Sequence, residues 1–241
     1  MALHLEAVTF DVADVSSAAV FWAGLLEREV VPEPGAALLP GDATQVGLRF
    51  VTSETERVGR PRLHLHLTSS TPEDQRRTIE TALRLGGRHH DVGQTDDERF
   101  VVLADPQGNE LCVMEPGNRY LAGTGHLGEI TCDGPRAVGL FWRDALGWPL
   151  VWDEGEQTAI QSPLGGTKIA WDLEYRSPAE PRVGKNRYRF DLVSAEPAGE
   201  VERLLSLGAT RLAPRPDDVR LADPAGNELS LRPERDSPPP R

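Results

Sequence analysis

The sequence predicts an α+β protein built from four βαβββ modules, two in each half of the chain, and three observations predict it. The segment LADPQGNEL at 103–111 returns as LADPAGNEL at 221–229, an offset of 118. Phe21-Trp22, ahead of a Leu-rich stretch, returns as Phe141-Trp142 at an offset of 120, and HLEAVTFD at 4–11 returns as HLGEITCD at 126–133 at an offset of 122. The markers keep their order while the offset drifts, as happens when loops vary in length and packed elements do not. Within each half the apolar pattern switches twice between period 2 and period 3.6, which gives two strand-helix-strands modules per half. The expected division is a domain at 1–117, a linker at 118–125 inside the Gly-rich EPGNRYLAGTG of 115–125, a second domain at 126–235, and a disordered or polyproline tail at 236–241.

Each element has its own local reason. Residues 5–12 alternate, with Leu5, Ala7, Thr9 and Asp11 on one face and Val8, Phe10 and Val12 on the other, and read as a strand. Residues 16–27 read as a helix capped by Ser16 or Asp14, with Val20, Phe21, Gly24 and Leu25 on one stripe. Strands follow at 29–32, 36–40 and 45–52. RLHLHLT at 62–68 alternates strictly, and Thr71-Pro72-Glu73-Asp74 then opens a helix that runs to about Leu85 and closes on Gly86-Gly87. Strands near 88–91, 99–104 and 110–115 complete the half. The second half repeats the scheme, with strands near 127–133, 148–153, 157–161, 167–174, 186–193, 209–213, 218–222 and 228–232, and helices near 135–146 and 196–207.

Composition excludes several function classes. With 26 Lys+Arg against 38 Asp+Glu in 241 residues the formal net charge is −12, and no basic patch interleaves with aromatics, so a nucleic acid is not expected as a partner. No run approaches the ~18 apolar residues of a membrane helix, and MALHLEAVTF lacks the charged and apolar regions of a secretion signal, so a cytoplasmic protein without a membrane partner is expected. The two cysteines, Cys112 and Cys132, have no CxxC spacing and read as free buried thiols. Only Lys168 and Lys185 among the basic residues are lysines, which reads as the codon bias of a GC-rich bacterial source.

The Phe-Trp helix, the helices ending in Leu85-Gly86-Gly87 and Leu207-Gly208-Ala209, and the doubled DPxGNEL together resemble the glyoxalase-like branch of the vicinal oxygen chelate superfamily, over nearly the whole chain and twice. In the DPxGN turn, Pro presets φ and Gly supplies the positive φ needed before the last strand. The resemblance implies two glyoxalase-like domains whose mixed sheets curl into cups. It also implies, for metal-using members, a divalent ion held by His or Glu from the first and last strands of the modules. The family's first-strand His falls on Ala7 and Glu129, the next module's on His64 and Arg189, and its last-strand Glu on Cys112 and Ser230. One His and one Glu remain at these places, in different halves, and they meet only if the halves exchange modules.

Other residues are candidates for lining the cups. His64 and His66 share a strand face and could chelate an ion with Cys112 nearby, or simply line a polar pocket or pair with carboxylates. Arg189 and Asp191 replace the two histidines in the second half, to clamp an acidic ligand or to pair within the protein. Trp148, Trp152 and Trp171 could stack a planar ligand or pack in the core, and Cys112 is a nucleophile only if a neighbouring His lowers its pKa. The expected function is binding of a small organic molecule, such as a metabolite or an antibiotic as in bleomycin-resistance-like relatives. The expected ligand-binding residues are His64, His66, Cys112, Glu129, Arg189, Asp191, Ser230 and Trp171. No cofactor is expected. The alternative is an isomerase, lyase or dioxygenase using Zn, Fe, Mn or Ni. Monomer and homodimer both stay open, since a tandem chain already imitates a dimer.

Overall fold

The computed structural model describes residues 3–54, 61–94, 98–173, 185–213 and 218–234. The expected tail at 236–241 and the last residue of the expected strand at 167–174 lie outside the described residues. The first module comprises β1 (His4–Val12), α1 (Val15–Leu26), β2 (Val31–Glu33), β3 (Ala36–Leu39) and β4 (Gly47–Thr52). The second comprises β5 (Leu63–Leu67), α2 (Pro72–Arg84), β6 (Arg88–His89), β7 (Val101–Ala104) and β8 (Glu110–Val113). The third comprises β9 (Leu127–Asp133), α3 (Arg136–Leu146), β10 (Leu150–Glu154), β11 (Gln157–Gln161) and β12 (Lys168–Asp172). The fourth comprises β13 (Tyr188–Ser194), α4 (Pro197–Ser206), β14 (Thr210–Arg211), β15 (Val219–Ala222) and β16 (Glu228–Pro233).

Local chemistry sets the helix starts. Of the two candidate caps of α1 it is Asp14 whose carboxylate accepts from Ser17 N, at 3.0 Å. Thr71 accepts from Asp74 N at 3.1 Å, with Pro72 in the first turn. Two of the strands at the sheet edges are shorter than expected. β6 keeps two residues of an expected 88–91 and β14 two of 209–213, and each lies at the edge of its sheet.

Two eight-stranded mixed sheets result. Their orders are β14-β15-β16-β13-β1-β4-β3-β2 and β10-β11-β12-β9-β5-β8-β7-β6. Each sheet therefore joins one module from each half of the chain, the first with the fourth and the second with the third. At both seams the first strands of the paired modules run antiparallel: β1 sets Thr9 opposite Arg189, and β5 sets His66 opposite Glu129. One continuous apolar core backs both sheets. Trp142 of α3 stacks on Trp171 of β12 with centroids 6.1 Å apart, and leans on Phe190 of β13 at 4.6 Å, so one indole touches both sheets. Burial of each such side chain contributes about 1.5–3 kcal/mol.

The repeated motifs have a structural purpose. Oδ1 of Asp105 accepts from Gln107 N and Asn109 N at 2.9 and 2.7 Å, and Oδ2 accepts from Asn109 Nδ2 at 2.8 Å. Gly108 takes the positive φ of 72° that the turn requires. Oδ2 of Asp105 also accepts from Trp22 Nε1 at 2.9 Å, and Trp142 Nε1 donates to Asp223 at 3.0 Å in the second copy. The Phe-Trp helix and the DPxGN turn are thus two halves of one buried clasp, joining modules that belong to different sheets. Trp22→Phe should cost about 1.5–3 kcal/mol, the value of a hydrogen bond to a charged group. Urea unfolding checks it, and the effect should shrink when Asp105→Asn is already present.

A second contact ties the sheets at the loop ends. Thr167 N donates to Thr44 O at 2.7 Å. The neighbouring Gly166 holds φ +91°, and a Cβ there would fall 1.6 Å from Thr44 O, so no side chain is tolerated. No helix among the described residues is long and apolar enough to cross a membrane.

Candidate functional site

The registers make the concave faces of the two sheets directly comparable. Ala7, Thr9, Arg49, Arg189, Asp191 and Ser230 of the first sheet occupy the places that Glu129, Thr131, Ala170, His64, His66 and Cys112 occupy in the second. The same geometry carries different chemistry.

On the concave face of the first sheet charged side chains pair with one another. Arg49 lies at the centre, its guanidinium 2.5 Å from Asp191, 2.8 Å from Glu33 and 2.9 Å from Glu6. Thr9 and Ser230 donate to Asp191 at 2.5 and 2.7 Å. Arg189 reaches Asp11 at 3.1 Å and Asp191 at 3.3 Å, Arg232 reaches Glu6 at 2.5 Å, and Lys185 pairs with Asp11. Four cations thus face four carboxylates. Burial alone would raise the pKa of Asp191, but Arg189 and Arg49 outweigh it and hold the carboxyl below its ordinary range. Of the sequence candidates, Arg189, Asp191 and Ser230 therefore sit in this network, each committed to a partner within the protein.

In the second sheet Ala170 stands where Arg49 would be, and a cavity of about 340 Å³ opens. His64, His66, Cys112, Glu129 and Trp171 of the sequence candidates border it. Trp171 is fully buried and stacked on Trp142, so it serves the core as much as the cavity. At the mouth Trp152 is 38% exposed and meets Tyr120 edge to face at 5.5 Å, while Phe100, Val102 and Met114 supply an apolar wall. Asp133, Asp172 and Glu110 add carboxylates.

A row of polar groups crosses four neighbouring strands. Cys112 on β8 is opposite His66 on β5, His66 is opposite Glu129 on β9, and Glu129 is opposite Lys168 on β12. His66 Nδ1 lies 2.8 Å from Glu129 Oε2, which also accepts from Thr131 Oγ1 at 2.9 Å, and Oε1 accepts from Tyr120 at 2.5 Å. Burial opposes charge on His66, but hydrogen bonds with Cys112 and Glu129 prevail and its pKa is pushed up to about 10. Glu129 is correspondingly held low: burial works to raise it, and His66, Tyr120 and Thr131 overcome that. Tyr120 is raised by burial and by the Glu129 charge, and stays a hydroxyl donor. Lys168 donates to the backbone carbonyl of Tyr120, its ammonium 4.0 Å from that ring's centroid. Burial lowers its pKa, partly offset by Glu129.

Tyr120 was missed by sequence reasoning. It lies in the stretch assigned as linker, where no periodicity marks a side chain as inward. A lone aromatic residue between glycines is the one signal that could have drawn attention to it. Arg49 was missed as well, although a single charge inside the apolar strand GLRFV signals a buried pair.

The donor set suits a transition metal. The ligating atoms of His64, His66 and Cys112 all lie within 4.8 Å of one another, and two imidazoles with a thiolate match the preferences of zinc and its neighbours.

Comparison with known proteins agrees with this architecture. The model of the family described as "Glyoxalase-like domain" matches residues 7–114 and 129–232. Glyoxalase I from Zea mays superposes with a TM-score of 0.65 at 14% identity, over 96% of this chain and 92% of its own. A putative dioxygenase from Bacillus subtilis superposes with a TM-score of 0.63 at 14% identity, over 98% of this chain and 85% of its own. At these identities the likeness is one of fold. A comparison with curated protein sequences returned no match.

Proposed function

This chain belongs to the glyoxalase-like domain family, and from that premise we propose that it binds a small organic molecule in the cup of its second sheet. One observation carries the reading: Arg49 plugs the first cup, and Ala170 at the matching place leaves the second one open. The cavity is at the lower end of the ~300–1,000 Å³ usual for small-molecule sites. Its apolar wall and the Trp152–Tyr120 pair favour a planar or partly aromatic guest, and Asp133 and Asp172 favour one that carries a cation or several donors. The imidazole of His64 and the His66–Glu129 pair would orient the polar end of that guest.

The test transfers the plug. Titration of a panel of small aromatic amines and neutral aromatics should quench tryptophan fluorescence through Trp152, an effect lost in Trp152→Phe. Ala170→Arg should weaken binding at least ~10-fold while circular dichroism stays unchanged, since each lost ~1.4 kcal/mol is tenfold. Affinity indifferent to Ala170→Arg would sink the proposal.

A second reading is favoured by the His64–His66–Cys112 cluster: a metal-assisted isomerase, lyase or dioxygenase. A divalent ion held by those residues would supply Lewis-acid polarisation of adjacent substrate oxygens. Glu129 would fix the His66 ring and Tyr120 would donate a hydrogen bond. Metal-stimulated turnover of 2-oxoaldehyde adducts or catechols supports this reading. Its absence across Zn, Fe, Mn and Ni removes it.

A further inference from the structure

We propose that Tyr120 is the specificity-determining residue of the second cup: the link between the halves carries it over the sheet, where its hydroxyl covers the buried Glu129 carboxylate, so that a guest meets a phenol instead of an anion. This rests on the guest-binding reading of that cup and names what the cup selects at this end, a neutral hydrogen-bonding group over an ammonium.

Topology brings the link there. β8 ends at Val113 and β9 begins at Leu127, and the two residues lie on either side of Leu67 of β5. Two strand spacings, roughly 10 Å, separate them. About three extended residues would bridge that gap. Residues 114–126 are available for it, and the surplus folds into a built turn. Leu121 and Thr124 are buried, Thr124 Oγ1 donates to Leu121 O at 2.8 Å, and Leu121 N donates to Asn118 Oδ1 at 3.1 Å. Gln45 Nε2 donates to Thr124 O at 2.8 Å and ties the turn to the first module. Tyr120 is thereby held at the border of the cavity. The matching strands of the first sheet, β16 and β1, are not consecutive in the chain, so the first cup receives no such segment.

The chemistry follows from how Glu129 is satisfied. It is buried and borders the same cavity, with Oε2 engaged by His66 at 2.8 Å and Thr131 at 2.9 Å. The hydrogen bond to Oε1 among the described residues comes from Tyr120 alone, at 2.5 Å. With that donor in place, the atom left for a guest is the phenol oxygen, a neutral acceptor that distinguishes little between an ammonium and a hydroxyl. The Lys168 ammonium, 4.0 Å from the centroid of the same ring, opposes a second positive charge beside it. Tyr120→Phe would keep a ring between Lys168 and Trp152 but strip Oε1 of its donor. A buried carboxylate oxygen so exposed recruits a donor from the cavity, and an ammonium makes the stronger, charge-assisted bond.

The experiment titrates the full chain with matched amine and alcohol pairs of the aromatic panel, 2-phenylethylamine against 2-phenylethanol among them, and follows tryptophan quenching. The quantity read is the ratio of the two Kd values, which a loss of packing alone would not move. Tyr120→Phe should shift that ratio toward the amine by at least ~10-fold, the lower end for a hydrogen bond to a charged group. Adding Glu129→Gln to Tyr120→Phe should remove the gain. A ratio within about twofold of wild type, or a gain that survives Glu129→Gln, overturns the role given to Tyr120. Should Tyr120→Phe fail to fold by circular dichroism, Glu129→Gln alone decides. A covered carboxylate adds nothing to the preference, so the ratio should stay within about threefold of wild type even where both affinities fall, and a tenfold loss of amine preference overturns the cover. Quenching by no member of the panel, in wild type or variant, overturns the guest-binding reading and this role with it. Quenching in both with an unchanged ratio overturns the role of Tyr120 alone.

Discussion

Replacing Asp191 with alanine is expected to remove about 3–5 kcal/mol of stability, the effect of stranding buried charge. Asp191 is the shared partner of Arg49 and Arg189 and the acceptor for Thr9 and Ser230, and its side chain is 3% exposed. Without it, the Arg49 guanidinium keeps Glu6 and Glu33 but loses its most buried partner. Chemical denaturation reads the loss directly. The pH dependence follows from the depressed pKa of Asp191. A carboxylate whose folded pKa lies below its unfolded value of ~3.9 contributes stability that is full above that value. The contribution fades as pH falls through the lower folded value. Stability of the wild type should therefore drop below about pH 4, and Asp191→Asn, less stable at neutral pH, should show a shallower acid limb. Parallel acid limbs in the two proteins would refute the assignment.

Cutting the chain between residues 117 and 118 is expected to abolish the second cup in each fragment and to restore it on mixing. The row that defines the cup takes Cys112 and His66 from one fragment and Glu129 and Lys168 from the other, across the β5–β9 seam. Leu65 and Ile130 face each other at that seam and both are fully buried, so separation exposes apolar surface on both sides. Size-exclusion chromatography should show each fragment aggregated or paired with itself, and the mixture as a 1:1 complex with the mass of the uncut chain. A first fragment that stays monomeric and melts cooperatively alone would contradict the exchanged arrangement.

Much of the architecture could be read before any coordinates. Thr71-Pro72 announced α2, and the alternation of LHLHL placed both histidines on one face. The count from Asp105 brought Cys112 to the same strand face as a family ligand. These signals are local, and a local signal survives in one dimension. The partner of each module was not legible, because Leu63, Leu65 and Leu67 are buried whichever first strand lies beside β5. For the same reason the meeting of His66 with Glu129 remained conditional. Arg49 and Tyr120 escaped notice for another reason: their roles come from carboxylates supplied by distant parts of the chain, Asp191 for one and Glu129 for the other.

The ionic plug of the first cup also defines a spare socket. Its walls are already framed by the same strand geometry as the open cup, and its occupant is a side chain whose charge is balanced by named carboxylates. Arg49→Ala by itself would take from Glu6, Glu33 and Asp191 the cation they share, while Arg189 still reaches Asp191 and Arg232 still reaches Glu6 and Asp191. Neutralising two of those acids in the same step would instead turn a strut into a receptacle, and one chain could then host two different guests back to back.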